Sequence, residues 1–100
     1  MAKVTIRFAN SAREELEEIL GFIALDNPQA AAKLSLRIEK SIGRLADFPA
    51  SGRLIPEEPG SPAREIVIPP IIRVFYRVEG QVVRILHFMR GEHSFPPLDW

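Results

Sequence analysis

The stretch Ile72-Arg-Val-Phe-Tyr-Arg-Val-Glu-Gly-Gln-Val-Val-Arg-Ile-Leu-His-Phe-Met-Arg90 decides how this chain folds. Large apolar residues and arginines recur in it at the two-residue period of a strand, and a strand shows alternate side chains to opposite faces. Glu79-Gly80 falls between the two apolar runs, the place of a two-residue hairpin loop. With those residues as the loop, Val78 faces Gln81, Arg77 faces Val82, Phe75 faces Arg84 and Arg73 faces Leu86. Parity then gathers Ile72, Val74, Tyr76, Val83, Ile85, His87 and Met89 on one face, which reads as core. The opposite face gathers Arg73, Phe75, Arg77, Val82, Arg84, Leu86, Phe88 and Arg90. Guanidinium groups mixed with exposed apolar side chains are the composition of a binding surface.

Upstream, Ala63 to Pro69 reads as another strand, and Pro69-Pro70 is placed at the turn because proline gives a ladder no donor. Ala50 to Pro62 holds three prolines and two glycines with little apolar content, a loop with a mobile tip. Before it lie two helical stripes. Ala12, Leu16, Ile19, Leu20 and Ile23 form the first, with Glu14, Glu15, Glu17 and Glu18 outside it as a solvated acidic face. Ser11-Ala-Arg-Glu14 has the spacing of a capping box at its start. Asn27-Pro28 restarts a helix, since asparagine caps well and proline fits a first turn. Ala31, Leu34, Ile38, Ile42 and Leu45 make the second stripe, ended by Phe48-Pro49. So short a break predicts an antiparallel helical hairpin. Lys3 to Phe8 alternates as a first strand with Val4, Ile6 and Phe8 on one face. The order is β-α-α-β-β-β, an α+β domain with the hairpin on one face of a small, mainly antiparallel sheet.

Composition narrows the function classes. At 100 residues the expectation is one domain, 1–100, with one modest core. The apolar share of 46% and charged share of 26% argue against a disordered chain. With no cysteine there is neither a disulfide framework nor a thiolate metal site, and two histidines without companion ligands argue against zinc. No cofactor and no metal are expected. The start lacks the apolar block of a signal peptide, and no apolar run approaches the roughly 20 residues that span a bilayer. The default is a soluble cytoplasmic protein without a membrane partner. Lysine and arginine total 13, as do aspartate and glutamate, so no long-range positive field draws in nucleic acid. A local basic patch stays open, because Arg64, Arg73, Arg77, Arg84 and Arg90 all lie on the expected sheet.

With these residues in this order, the chain resembles the RelE/ParE superfamily of toxins from type II toxin–antitoxin systems. The first helix, with Ala12, Leu16 and Ile19, is similar to the family's opening helix, and Asp26-Asn-Pro-Gln-Ala-Ala to its inter-helix turn. Leu45-Ala-Asp-Phe-Pro-Ala-Ser-Gly-Arg53 is similar to a stretch of leucine, then proline, then glycine-arginine. Arg64-Glu-Ile-Val and Ile72-Arg-Val-Phe-Tyr-Arg-Val resemble the central strands, and Ile85-Leu-His-Phe-Met-Arg90 the last strand of the ParE-type branch. Each piece alone is unspecific; six in order, covering nearly the whole chain, are not. The resemblance implies a toxin, of the kind that stabilises plasmids, neutralised by a small antitoxin that wraps the hairpin and the sheet. One branch of the superfamily cleaves mRNA on the ribosome and the other poisons DNA gyrase.

Cleavage of RNA through its 2′-hydroxyl needs a base, an acid and positive charge on the phosphate. By position in the strand motif, Arg73 resembles an arginine that contacts the scissile phosphate in the RNA-cleaving branch, and Arg77 and Arg90 could assist it. The plainer reading is that the arginines cover apolar surface and pair with an antitoxin's carboxylates. His87 has a suitable unperturbed pKa of about 6.5. Parity nevertheless puts it in the core beside Tyr76, held by a backbone or tyrosine hydroxyl partner. Beyond the last strand, RNA-cleaving members carry basic residues, whereas this chain has Glu92, leaving His93 as the exposed base candidate. Phe88 stands where the ParE branch commonly has glycine. The candidate partner-binding residues are Arg64, Arg73, Phe75, Arg77, Arg84, Phe88, Arg90 and Trp100, with Phe95 and Trp100 in a tail that docks on the domain or on a partner. The nuclease candidates are Arg73, Arg90 and His93. The expectation is a ParE-like toxin that binds a protein target, DNA gyrase. The alternatives are a ribosome-dependent, metal-independent endoribonuclease acting on mRNA and a non-toxic relative that keeps only antitoxin binding.

Overall fold

The alternating segments become β1 (Thr5–Phe8), β3 (Arg64–Ile68), β4 (Ile72–Glu79) and β5 (Val82–Arg90), and a two-residue strand, β2 (Arg53–Leu54), joins them. They form one sheet in the order β1-β5-β4-β3-β2, antiparallel except for the parallel β1–β5 pair. The computed structural model describes residues 4–69 and 72–91. Helices α1 (Asn10–Asp26) and α2 (Pro28–Gly43) pack as a hairpin on one sheet face, and a 3-10 turn at Arg44–Ala46 extends α2. This is the α+β arrangement expected from the sequence.

Both apolar stripes face the sheet. Ala12, Ile19, Leu34, Ile38, Ile42 and Leu45 bury against Ile68, Ile72, Val74, Tyr76, Val83 and Ile85, with Leu16, Leu20 and Ile23 packed around them. Each fully buried aliphatic side chain contributes roughly 1.5–3 kcal/mol, and this burial, more than intrinsic propensity, holds helices of such length. The hairpin bend works as read: the Asn27 carbonyl oxygen accepts from the Ala30 N–H at 3.0 Å, and Pro28 opens α2.

The start of α1 differs. The helix begins at Asn10, so Ser11 lies inside the first turn and no side chain caps it. The Ser11 hydroxyl instead donates to the Leu86 carbonyl at 3.1 Å, and the Ala9 N–H donates to Ile85 O at 2.9 Å. The chain enters the helix straight off the sheet, and the sheet takes the group that a capping box would have used.

Two corrections concern the β4–β5 hairpin. Its loop is Gly80-Gln81, with Glu79 opposite Val82 and Val78 opposite Val83. Gly80 takes φ +61° while Gln81 keeps a negative φ, the demand of a loop with glycine at its first position. A Glu79-Gly80 loop would have forced Glu79 toward that left-handed region. Further along, the register shifts between Phe75 and Tyr76, leaving Leu86 without a partner. This bulge reverses the parity beyond it. Phe88 and Arg90 swing to the helix side, and Met89 to the outer face.

The outer face has its own small core of Ile55, Ala63, Phe75, Leu86 and Met89. The segment read as a mobile loop is therefore pinned: Arg53 and Leu54 pair with β3, and Ile55 and Ala63 are fully buried at its two ends. Pro69 follows β3 in a turn, its carbonyl accepting from Arg37 at 2.7 Å; Pro70 lies outside the described residues.

Candidate functional site

Antiparallel pairing of β3 with β4 puts Glu65 opposite Phe75 on the outer face. The Glu65 carboxylate is fully buried, and a charge removed from water must be paired. It is paired twice. Arg53, placed opposite Glu65 by β2, brings Nε to 2.8 Å of one oxygen, while Arg73 brings Nε to 2.7 Å of the other. The remaining edge of the Arg73 fork holds Glu57 with two hydrogen bonds of 2.8 and 2.7 Å, and the guanidinium lies 5.0 Å above the Phe75 ring. Hydrogen bonds that Arg73 donates to Glu57 and then to Glu65 push its pKa above its ordinary value, and Arg73 in turn holds the Glu57 carboxyl below the ordinary carboxylate value.

On the helix side, the Tyr76 ring is buried and its hydroxyl donates to Pro49 O at 2.8 Å and accepts from the Gly52 N–H at 2.8 Å. A Cβ on Gly52 would lie 2.5 Å from that hydroxyl, so only glycine fits. The Gly52 carbonyl takes the Arg64 guanidinium at 2.8 Å. The leucine-proline-glycine-arginine stretch is thus a clamp: Leu45 anchors it in the core, Pro49 and Gly52 grip Tyr76, and Arg53 delivers charge to Glu65. A groove of about 520 Å³ opens beside it, where β2 stops and Phe48, Arg44 and Ser41 overhang Ile66 and Val67 of β3.

At the far end of β5, Glu15 of α1 turns inward. It accepts from the Phe88 N–H at 3.2 Å and sits 3.1 Å from Nδ1 of His87, which is buried. His87 is buried as expected, but the bulge sets it opposite Phe75 and not on the Tyr76 face that alternation assigns, and its Nδ1 meets a carboxylate.

Residues 6–95 match the family model described as the ParE toxin of the type II toxin–antitoxin system parDE. The chain belongs to the ParE toxin family. It is 35% identical to the Y4kP protein of Sinorhizobium fredii over 99 residues, covering 96% of this chain and 97% of that one. It is 33% identical to toxin RelE2 of Caulobacter vibrioides over 82 residues, covering 79% and 89%. In fold it is similar to a chain of the chromosomal ParDE system of P. aeruginosa, with a TM-score of 0.75 at 22% identity over 90% of this chain and 98% of that one. A chain of the RelBE2 complex of Mycobacterium tuberculosis superposes with a TM-score of 0.60 at 21% identity, over 88% and 98%.

In this ParE-family chain the expected binding residues do not share one surface. Arg73, Arg77 and Arg84 lie on the outer face, and Arg84 pairs with Glu79 at 3.1 Å. Phe75 is on that face but fully buried beneath the pinned loop. Phe88 sits in the helix-side core, its ring 6.1 Å from that of Phe8, because the bulge turns it there. Arg90 follows it and lies 5.4 Å over Phe22 of α1. Arg64 serves the Tyr76 clamp. His93 and Trp100 fall outside the described residues, as do Glu92 and Phe95. Among the described residues no group of three or more acidic, histidine or cysteine side chains is arranged to hold a metal, and no helix is long and apolar enough to cross a membrane.

Sequence reasoning missed Glu57, Glu65 and Arg53. Glu65 left a signal: it is a carboxylate in mid-strand at the parity of Arg73, which a buried strand tolerates only with a cation beside it. Glu57 left none, because its pairing depends on the path of a loop.

Proposed function

We propose that this ParE-family toxin arrests growth by binding a protein target, DNA gyrase, in the cytoplasm, and that its cognate antitoxin holds it inactive. The observation that carries this reading is the occupation of Arg73. Phosphate chemistry needs an accessible cation at the scissile group. In this chain the arginine that resembles the phosphate contact of the RNA-cleaving branch has Glu57 and Glu65 on its fork. Two carboxylates where a phosphate oxygen would sit oppose that substrate, whereas a protein surface can meet the same face with complementary charges. His87 is buried and its Nδ1 is held by Glu15, which argues against its serving a substrate as a base.

The test is induced expression in a bacterial host without antitoxin, scoring DNA breaks and message integrity in one culture. DNA breaks with intact message are expected. Rapid message cleavage with intact DNA would instead make the chain a ribosome-dependent endoribonuclease, with Arg73, Arg90 and His93 as the residues to mutate. Harmless expression would leave a non-toxic antitoxin-binding relative.

A further inference from the structure

Met89 is dry on a part of the sheet where little lies over it. Beyond the bulge it stands on the outer face, opposite Arg73 of β4. β1 pairs with β5 only from Val82 to Ile85, so from Leu86 to Arg90 that edge of β5 has no strand beside it among the described residues. The companions of Met89 in the outer core are Phe75 and Leu86, which stand next to it on the sheet, and Ile55 and Ala63, which come in from the β2–β3 connection. β3 is two strands from β5, about 10 Å away. An apolar side chain on a sheet face stays wet unless a further layer covers it. Met89 is nevertheless 8% exposed and Leu86 7% exposed.

The chain itself continues from this corner. β5 ends at Arg90, one residue past Met89, and Gly91 begins a turn. The nine residues that follow, Glu92-His-Ser-Phe-Pro-Pro-Leu-Asp-Trp100, lie outside the described residues and carry three large apolar side chains, Phe95, Leu98 and Trp100. Extended, nine residues reach about 30 Å. Leu86 and Met89 are about 10 Å apart along the strand, well within that reach. Pro96-Pro97 favours an extended path between Phe95 and Leu98. We infer that residues 92–100 fold back over the outer face of β5, where Phe95, Leu98 and Trp100 form the layer that covers Leu86 and Met89. The contact is independent of which target the toxin binds. In either case the outer face beside Arg73 is closed by the chain's own tail, and a partner that uses this face has to lift it.

Both sides of the contact carry their own probe. Trp100 is the one tryptophan of the sequence, and Met89 is its one methionine after Met1. The experiment records Trp100 fluorescence and the rate at which peroxide converts Met89 to its sulfoxide, on the full chain. Wild type is compared with Phe95→Ser, Leu98→Ser and Met89→Ser, with Trp100→Ser added for the oxidation, and circular dichroism checks the fold of each. The wild-type emission should be blue-shifted from that of the urea-unfolded chain and quenched by acrylamide several-fold less, at every protein concentration. Phe95→Ser, Leu98→Ser and Met89→Ser should each shift it to the red with the dichroism unchanged. The three tail variants should oxidise Met89 several-fold faster than wild type. Emission at the unfolded position in the wild-type chain overturns the inference, whatever the variants do. Protected emission that Met89→Ser leaves unchanged, with Met89 equally slow to oxidise in every tail variant, places the tail elsewhere and overturns it. Protection that disappears on dilution makes the cover a second copy of the chain and overturns it as well.

Discussion

The hydroxyl of Tyr76 stands 2.8 Å from the Gly52 nitrogen, and the backbone there leaves no space for a side chain. One phenol thus ties the core of the sheet to the turn that delivers Arg53 to Glu65 and Glu65 to Arg73. The outer charge network depends on a contact made on the opposite side of the sheet.

Gly52→Ala tests that dependence. Its methyl would meet the Tyr76 hydroxyl at 2.5 Å and the Glu65 carbonyl at 2.7 Å, and a backbone atom cannot step aside. A loss of about 3 kcal/mol is expected, read as a fall of more than about 10 °C in the melting midpoint. Gly21→Ala, in mid-helix with nothing within 4 Å, should move the other way by about 0.5–1 kcal/mol. Equal effects at the two glycines would refute the clamp.

Tyr76→Phe removes the partner of the Gly52 N–H and of the Pro49 carbonyl, at a cost of about 1–3 kcal/mol. Burial raises the Tyr76 pKa above its unfolded value near 10. The raised value means that its contribution is present below that pH and is lost as pH climbs through the folded pKa. Denaturant titrations should show the wild type losing stability on the alkaline side more steeply than the phenylalanine variant.

Glu65→Ala leaves Arg73 with Glu57 and strips Arg53 of its partner. Breaking a buried pair of this kind costs about 3 kcal/mol. Arg53→Ala should cost under about 1 kcal/mol, since that side chain is 63% exposed and Arg73 still neutralises the carboxylate. A reversed order in urea midpoints would mean that the network is held from the β2 side.

The Glu57–Arg73 pair predicts an acid limb. The hydrogen bond from Arg73 lowers the Glu57 pKa below its unfolded value. The stabilisation is therefore present above that value and fades as pH falls through the folded one, because the unfolded chain then binds the extra proton. Melting curves collected from neutral to strongly acid pH should separate wild type from Glu57→Gln at neutral pH and converge at the acid end.

Of the four glutamates at the start of α1, Glu15 is the one that holds a distant strand among the described residues. Glu15→Ala takes the Glu15 acceptor from the Phe88 N–H and a carboxylate partner from His87, which should cost about 1–3 kcal/mol. Glu14, Glu17 and Glu18 are exposed, and their alanine variants should stay within about 0.5 kcal/mol of wild type. Alanine scanning by thermal melt decides whether the acidic run is one solvated face or three solvated residues and one clamp.

Much of the fold was legible in the chain because it is encoded over short spans. The 3.6-residue stripes of Ala12 to Ile23 and Ala31 to Leu45, the Asn27-Pro28 restart and the alternation along β4 each depend on neighbours a few residues apart. The six pieces that resemble the toxin family are local in the same sense. What the chain alone did not disclose was always a relation between distant segments. Gly80 could be the first or second loop residue by composition, and the pairing of Glu79 with Val82 chose. The bulge at Leu86 is set by how β5 must meet both β4 and α1, and it sent Phe88 and Arg90 to the side opposite the one alternation assigns. The strand motif left Arg73 open to a phosphate or to a partner's carboxylates, and the path of the 53–63 segment placed the chain's own Glu57 on it. A strand's side-chain period is local physics, but which strand lies beside it, and in what register, is settled by burying both stripes at once.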